Sequence, residues 1–395
     1  MASLITATIA ISIDTVLPAF DEIEAEFGLT SDSPPVSLTI SVFFGALGIG
    51  MLLWGPFADR YGRKPVMYTS LGAVVVGSIL SSFAPNFEVF LIGRILWGIA
   101  AAGPRTVVMA MTRDCYEGDN MARIMSLMLA VFLVVPILAP ALGELLLLAG
   151  SWRLTTLSAA VLALIGAAWF TRVEETLDPA DQLPLEFGRV ASAAKAVVTT
   201  KQTVLFTVAA TMTYGSFFPW LGSSPALIGD IYGRDGQFAL IFAINAAMMA
   251  LAILATERLV RRYSTYPVIL VQTALLLITS AIYVVVSLAA DGVPAFLLWF
   301  VLVSVLTALN SSSSPLQQSL AMQPMGAIAG TAASVTGAAV FLGGAVLGSL
   351  IDIAIDDTVT PFGVGFLVYG SIMAVAILAA RRGAKAAALA TSDVG

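Results

Sequence analysis

Residues 55–64 read GPFADRYGRK, and this short charged stretch joins two apolar segments near residues 36–57 and 66–84. An α-helix needs about 20 apolar residues to cross a bilayer, and both segments meet that length. Working outward from them, further apolar segments of similar length fall near residues 3–20, 88–111, 123–148, 153–171, 203–228, 236–256, 265–289, 294–316, 326–350 and 361–380. The sequence therefore predicts an all-α membrane protein with twelve transmembrane helices.

The composition supports this prediction and excludes several classes of function. Only 11% of the 395 residues are charged, against about 25% in soluble proteins. The chain has no histidine and a single cysteine, Cys115, which argues against histidine-based catalysis, metal centres and an internal disulfide. None of the lysines precedes Ser or Thr, so no P-loop is present. The net charge of −6 gives no basic face for nucleic acid. We expect no enzyme activity, cofactor, metal or nucleic-acid partner.

The opening stretch has a counterpart later in the chain. Arg60-Tyr61 and Pro65-Val66 recur as Arg262-Tyr263 and Pro267-Val268, at a constant offset of 202 residues. Transporters are commonly built from such repeats. We predict two six-helix pseudo-repeat bundles at residues 1–172 and 202–395, the second with a short tail, joined by a polar cytoplasmic linker at 173–201.

Basic residues predict the orientation. If the N-terminus is cytoplasmic, fifteen of the nineteen Lys and Arg residues fall in inner loops and the tail, and only Arg153 and Arg234 fall in outer loops. Cytoplasmic loops carry such an excess, so we expect both termini inside. No A-x-A-like cleavage site precedes Asp14, and we interpret residues 3–20 as an uncleaved first helix whose natural start lies a few residues upstream.

The stretch Gly55-x-x-x-Asp59-Arg60-x-Gly62-Arg63-Lys64 resembles the signature between helices two and three of the major facilitator superfamily. The chain is similar to its Bcr/CflA-type drug–proton antiporter branch in further motifs. These are Asp14-x-x-Leu17-Pro18, Arg94-x-x-x-Gly98, Arg113-Asp114, Tyr116-Glu117-Gly118, Pro136-Ile137-Leu138-Ala139-Pro140-x-x-Gly143, Trp152-Arg153, Ser224-Pro225 and Gly330-Thr331-Ala332. The chain departs from the branch at Trp97, where Gln is usual, at Ala139, where Gly is usual, and at Glu144, where a small or neutral residue is usual.

The resemblance implies a monomer in a bacterial inner membrane that binds a small-molecule substrate and protons. It implies an antiporter motif in helix five at Pro136, Pro140 and Gly143. It also implies a conformational gate at Gly55, Asp59, Arg60, Gly62, Arg63 and Arg113.

The gate also has a physical interpretation. Asp59 is the only acid beside Arg60, Arg63 and Lys64, so it can form an ion pair with an inner-loop base such as Arg113, or meet the start of helix eleven. The alternative for the basic residues is a solvated cluster that only sets topology.

Charged residues inside the spans indicate a site for proton coupling. Each costs roughly 2.5–3.5 kcal/mol at the centre of a membrane helix. Asp14, Arg94 and Glu144 lie at similar depths below the predicted outer surface, so we interpret them as coupling residues, with Asp14 as the proton carrier. Arg105 lies deeper and is a candidate anion contact. A structural salt bridge or snorkelling to the interface is the alternative.

Aromatic and amide side chains in spans seven and ten suit a cavity for an amphipathic molecule. We predict a substrate cavity lined by Asp14, Arg105, Tyr214, Phe217, Trp220 and Asn310; ordinary membrane packing is the alternative. The preferred function is proton-coupled export of small, drug-like compounds by alternating access. The alternatives are a metabolite or organic-anion carrier using Arg94 and Arg105, and a membrane enzyme or receptor, which the missing histidines disfavour.

Overall fold

The computed structural model describes residues 5, 11, 13–30, 33–116, 118–178, 180, 182 and 187–392. Every regular element in these residues is helical, as predicted. The α-helices are α1 (Phe20–Phe27), α2 (Leu38–Tyr61), α3 (Arg63–Ser82), α4 (Phe87–Cys115), α5 (Gly118–Ala149), α6 (Arg153–Phe170), α7 (Phe187–Thr199), α8 (Lys201–Ala226), α9 (Phe238–Tyr263), α10 (Thr265–Ala289), α11 (Phe296–Met322), α12 (Ala329–Ala354) and α13 (Thr360–Ser392).

Helices α2–α6 correspond to predicted spans two to six, and α8–α13 to spans seven to twelve. Among the described residues, ten helices are long and apolar enough to cross a membrane, and α5 adds a shorter apolar stretch, Leu133–Ala149. The predicted first span, 3–20, lies largely outside the described residues; its end forms a short 3-10 helix at Leu17–Ala19.

The chain divides into two compact units. The first comprises Met1–Gly188, Ile228–Asp230 and Arg234–Ala247, and the second comprises the remainder of the chain. The domain boundaries predicted at 172 and 201 remain a prediction. The segment between them contains α7, a helix that the sequence analysis treated as part of a polar linker. In the second unit, Val197 of α7 packs against Met325 and Ala332.

The turns that join paired helices share an unusual backbone. Gly62, between α2 and α3, has φ 97° and ψ 161°, and Ser264, between α9 and α10, has φ 65° and ψ 168°. Both lie in a region of backbone space that is essentially restricted to glycine. The two positions are 202 residues apart, so the sequence repeat coincides with a repeat of backbone geometry.

Glycines hold three helices of the first unit close together. A Cβ atom added at Gly77 of α3 would lie 2.9 Å from the carbonyl oxygen of Gly93 in α4, and one added at Gly93 would lie 3.0 Å from that of Gly77. On another face of α4, Gly98 meets the backbone of Phe43 in α2 in the same way. Small residues at membrane helix interfaces permit this approach, and α4 therefore packs directly against the backbones of α2 and α3.

The short helix α1 is rich in acidic residues, and two of them contact the start of α6. Glu26 accepts a hydrogen bond from the Trp152 indole at 2.6 Å and pairs with Arg153. Glu22 accepts from the Trp152 backbone N–H at 3.1 Å. The Trp152-Arg153 motif therefore anchors this end of the first unit, which we call the acidic end; the opposite end, with the α2–α3 turn, is the basic end.

Candidate functional site

The predicted gate residues meet at the basic end of the first unit. Arg63 lies between two carboxylates, with its Nη1 2.6 Å from Asp59 Oδ1 and its Nε 3.0 Å from Asp114 Oδ2. The Arg63 side chain is only 8% exposed. Asp59 thus has an arginine partner from its own loop, and Arg113, which the sequence analysis offered as that partner, is exposed to solvent. The sequence motif Arg113-Asp114 gave no role to Asp114. In the structure it is the second acid that contacts Arg63.

A third acid, missed by the sequence analysis, completes this cluster. Glu175, which follows α6, accepts hydrogen bonds from the backbone N–H groups of Arg63 at 2.8 Å and Lys64 at 2.9 Å. These are the first residues of α3, whose N-terminus lacks a side-chain cap from its own N-cap residue. Glu175 supplies that cap, and its negative charge interacts favourably with the helix dipole. Nearby, Thr176 donates to Asp114 Oδ2 at 3.0 Å. We call Asp59, Arg63, Asp114, Glu175 and Thr176 the basic-end cluster.

The environment of Glu175 stabilises its charged form. Partial burial raises the pKa of the carboxyl, but hydrogen bonds from backbone N–H groups outweigh that effect and hold the pKa below its ordinary value. Gly62 belongs to the same contact, because a Cβ atom there would lie 2.7 Å from Glu175 Oε2. Of the other predicted gate residues, Arg60 is exposed and Gly55 is half-buried in α2.

Two of the three predicted coupling residues are buried in the first unit. Asp14 is 4% exposed and Arg94 is fully buried. The Arg94 guanidinium lies 4.8 Å from the ring centroid of Phe43 and 4.7 Å from that of Trp97, distances at which an aromatic ring attracts a cation. Trp97, at the position where the family resemblance implies Gln, supplies a cation–π contact to the buried arginine.

The helix-five motif lies against the segment that follows Asp14. Gly143 of α5 contacts the backbone carbonyl of Thr15, and a Cβ atom at Gly143 would also lie 3.1 Å from Pro18. Pro136 and Pro140 lie within the same helix. The structure therefore packs the predicted antiporter motif against Thr15 and Pro18, which directly follow the predicted proton carrier in the chain.

Glu144 is placed differently from Asp14. Its Oε1 accepts a hydrogen bond at 3.1 Å from the backbone N–H of Ala239, in the first turn of α9 and within the first compact unit. The first backbone N–H groups of a helix have no partner within the helix, and a side-chain oxygen can accept from them. This contact gives Glu144 a capping role that the sequence analysis did not foresee.

The predicted cavity residues differ in burial. Trp220 and Asn310 are buried in the second unit, where Trp220 packs near Phe362 and Asn310 Nδ2 donates to the Thr213 carbonyl at 2.9 Å. Tyr214 and Phe217 are half-buried, and Arg105 is exposed. The structure also has an opening of about 710 Å³, which the sequence analysis did not predict, lined by Tyr116, Asn120, Arg123, Ile124 and Leu127.

The family model described as Major Facilitator Superfamily matches residues 2–349. The chain belongs to the major facilitator superfamily. The bicyclomycin resistance protein homolog of Haemophilus influenzae is 26% identical over 379 residues, covering 93% of this chain and 92% of that protein. The multidrug resistance protein MdtL of Salmonella heidelberg is 27% identical over 237 residues, which cover 60% of this chain and 59% of MdtL. These relatives fit the Bcr/CflA-type branch that the motifs indicate.

Solved structures agree with this family assignment. A D-xylose-proton symporter superposes with a TM-score of 0.76 at 14% identity, covering 96% of this chain and 95% of the symporter. The human organic anion transporter MFSD10 has a TM-score of 0.64 at 16% identity, covering 96% and 97%. At these identities the likeness shows the fold alone. It confirms the predicted twelve-helix major facilitator fold, and with the family match it identifies this multi-pass membrane protein as a transporter rather than an enzyme.

Proposed function

We propose that this protein exports small amphipathic compounds from the bacterial cytoplasm in exchange for protons, by alternating access. The observation that carries the proposal is the burial of Asp14 beside the helix-five motif, in a chain whose relatives are named for drug resistance. A buried carboxylate in a membrane span is costly when charged. Proton binding removes that cost, and substrate binding competes with the proton.

The energetics suit this exchange. One elementary charge moving through a potential of 100 mV releases roughly 2.3 kcal/mol. This free energy is sufficient to concentrate a substrate many-fold on the outer side. Arg94, held between Phe43 and Trp97, adds a fixed positive charge to the same unit. Glu144 is the second candidate carrier.

The decisive experiment compares Asp14→Asn with wild type and with the control Glu88→Gln, which alters an exposed acid in the first turn of α4. Drug uptake into everted vesicles should respond to an imposed pH gradient in wild type and in the control. Asp14→Asn should abolish uphill transport and retain downhill exchange. In wild type, a protonophore should abolish the substrate gradient. If Asp14→Asn still builds up such a gradient, Asp14 has only a structural role.

The proposed orientation places both termini and the basic-end cluster in the cytoplasm. Cys115 is exposed at the end of α4, beside Asp114, and it is the only cysteine in the sequence. A membrane-impermeant maleimide should label it in everted vesicles and not in intact cells. Labelling in intact cells would show that the orientation is the opposite of the proposed one. We further propose that the monomer is the working unit, which light scattering of the purified protein can test.

An organic-anion carrier is the second candidate, because Arg94 is a buried cation and Arg105 is an exposed one. A thermal-shift panel of the purified protein separates the two candidates, since a specific ligand raises apparent stability. Stabilisation by organic anions that Arg105→Ala removes would favour the carrier. Stabilisation by neutral or cationic amphipathic compounds would favour the exporter.

A further inference from the structure

A second carboxyl group is buried in the second unit, on a helix that the sequence analysis ended too early. The predicted eleventh span stops at residue 350, whereas α12 continues to Ala354 and includes Asp352. Asp352 is 6% exposed. Its Oδ1 atom lies 2.5 Å from the hydroxyl oxygen of Ser223 in α8, which is also buried.

The other carboxyl oxygen decides which protonation state this site favours. Asp352 Oδ2 is buried and has no hydrogen-bond partner in the part of the chain that the structure describes. Among the described residues, an ionised carboxylate there would have one hydrogen-bond donor, Ser223, and no ion-pair partner. An unpaired buried charge is strongly destabilising. A neutral acid can donate its proton to Ser223 Oγ across the same short distance, which leaves only an uncharged carbonyl oxygen without a partner.

Charged residues on the surrounding helices do not offset this cost. Helix α12 packs against α8, α11 and α13, and α11 has no charged residue. Lys201 begins α8, 22 residues before Ser223, so it is roughly 33 Å away along the helix. The tyrosines on these helices have other partners, since Tyr214 Oη is paired with Ser314 and Tyr369 Oη donates to the Leu347 carbonyl. The remaining charges on these helices and on the loop between α12 and α13 are Arg381, Arg382 and Lys385, in the part of α13 far from that loop, and the exposed Asp356 and Asp357.

The position of Asp352 links its protonation to helix packing. Gly344, Gly348 and Asp352 are spaced four residues apart, so they form one stripe on α12. A Cβ atom at Gly344 would lie 2.8 Å from Tyr214 Cβ, and one at Gly348 would lie 3.0 Å from Phe218 Cβ. The carboxyl therefore continues a tight interface with α8, and water must enter this interface before the group can ionise.

We propose that Asp352 and Ser223 form a second proton-binding site, in addition to Asp14, which holds a proton while α8 and α12 are closed at this level and releases it when they part. The proposal rests on the proposed proton-coupled function and extends it. Transport then moves about two protons per substrate, one at each site. The alternative is a purely structural role, in which the hydrogen bond between Asp352 and Ser223 only stabilises the packing of α8 against α12.

The first test measures protonation directly. Infrared spectra of the purified protein in nanodiscs should show a protonated carboxylic acid at neutral pH, with a carbonyl stretch that disappears in Asp352→Asn and shifts in Ser223→Ala. The control Asp356→Asn should leave the band unchanged. Ser223→Ala keeps the carboxyl and provides the test if Asp352→Asn does not fold. If neither variant changes this band, Asp352 is not protonated at neutral pH, and the proposal is overturned.

The second test measures coupling in proteoliposomes. The substrate gradient at equilibrium should depend on the imposed pH gradient with a slope of about two in wild type and about one in Asp352→Asn. An unchanged slope in Asp352→Asn would mean that Asp352 carries no proton during transport and has only a structural role. A wild-type slope of zero would refute the proposed function itself, so the two failures are distinguishable.

Discussion

The turn between α2 and α3 and the turn between α9 and α10 have the same backbone shape in different chemical surroundings. Gly62 and Ser264 have matching dihedral angles, 202 residues apart. Around Gly62, the basic-end cluster connects three segments of the first unit. Around Ser264, the described ion pair is local, between Arg261 and Glu257 on the same helix.

The difference in exposure shows which turn has a role beyond connecting two helices. The Arg63 side chain is 8% exposed between its two acids, whereas Arg261 is 78% exposed. Exposed ion pairs contribute about 0–1 kcal/mol. The repeat therefore retains a backbone turn in both halves. In the first half the turn also carries a charge cluster around a buried arginine, and we place the predicted gate there.

The largest expected effect comes from removing the central arginine of that cluster. Arg63→Ala leaves Asp59 and Asp114 without their shared partner, so we expect a loss of about 2 kcal/mol in the free energy of unfolding and at least a tenfold loss of transport. Arg261→Ala is the matched control and should change stability by less than about 0.5 kcal/mol. Denaturation and vesicle uptake measure both. Equal effects of the two variants would remove the distinction between the turns.

Exchanging the turn residues sharpens the comparison. Gly62→Ser places a side chain in a glycine-restricted conformation and against Glu175, and should destabilise the protein by about 1 kcal/mol. Ser264→Gly relieves the same strain and should stabilise it by about 1 kcal/mol. The two thermal shifts should therefore have opposite signs. Shifts of the same sign would mean that the shared dihedral angles do not govern these turns.

The smallest effect concerns pH and the cap on α3. Because hydrogen bonds hold the pKa of Glu175 below its ordinary value despite partial burial, its contribution to stability is present above that ordinary value and is lost as pH falls through the folded pKa. Glu175→Gln should lower the melting temperature at neutral pH and reduce its fall toward acidic pH. Glu174→Gln, at the exposed neighbouring acid, should retain the wild-type pH profile.

The helices were predictable because each needs one long apolar run, and the prediction of 265–289 coincides with α10. The prediction failed where a contact depends on distant chain segments. Glu175 caps a helix that lies 112 residues earlier, and no local pattern signals that role. Asp352 was missed because hydropathy counts a carboxyl as charged and ends the span before it. Asp14, Arg94 and Glu144 were found from charge within apolar runs, but sequence could not show that Glu144 caps α9.

The glycine contacts of α4 have a mechanical consequence. Where Gly77 and Gly93 bring two backbones together, a sliding motion of α3 along α4 would meet backbone atoms rather than the movable ends of side chains. Helices α2, α3 and α4 therefore behave as a stiff rod rather than a soft bundle. A small displacement of Arg63 would therefore also displace Phe87 and Phe90, at the opposite end of α4, by a similar distance.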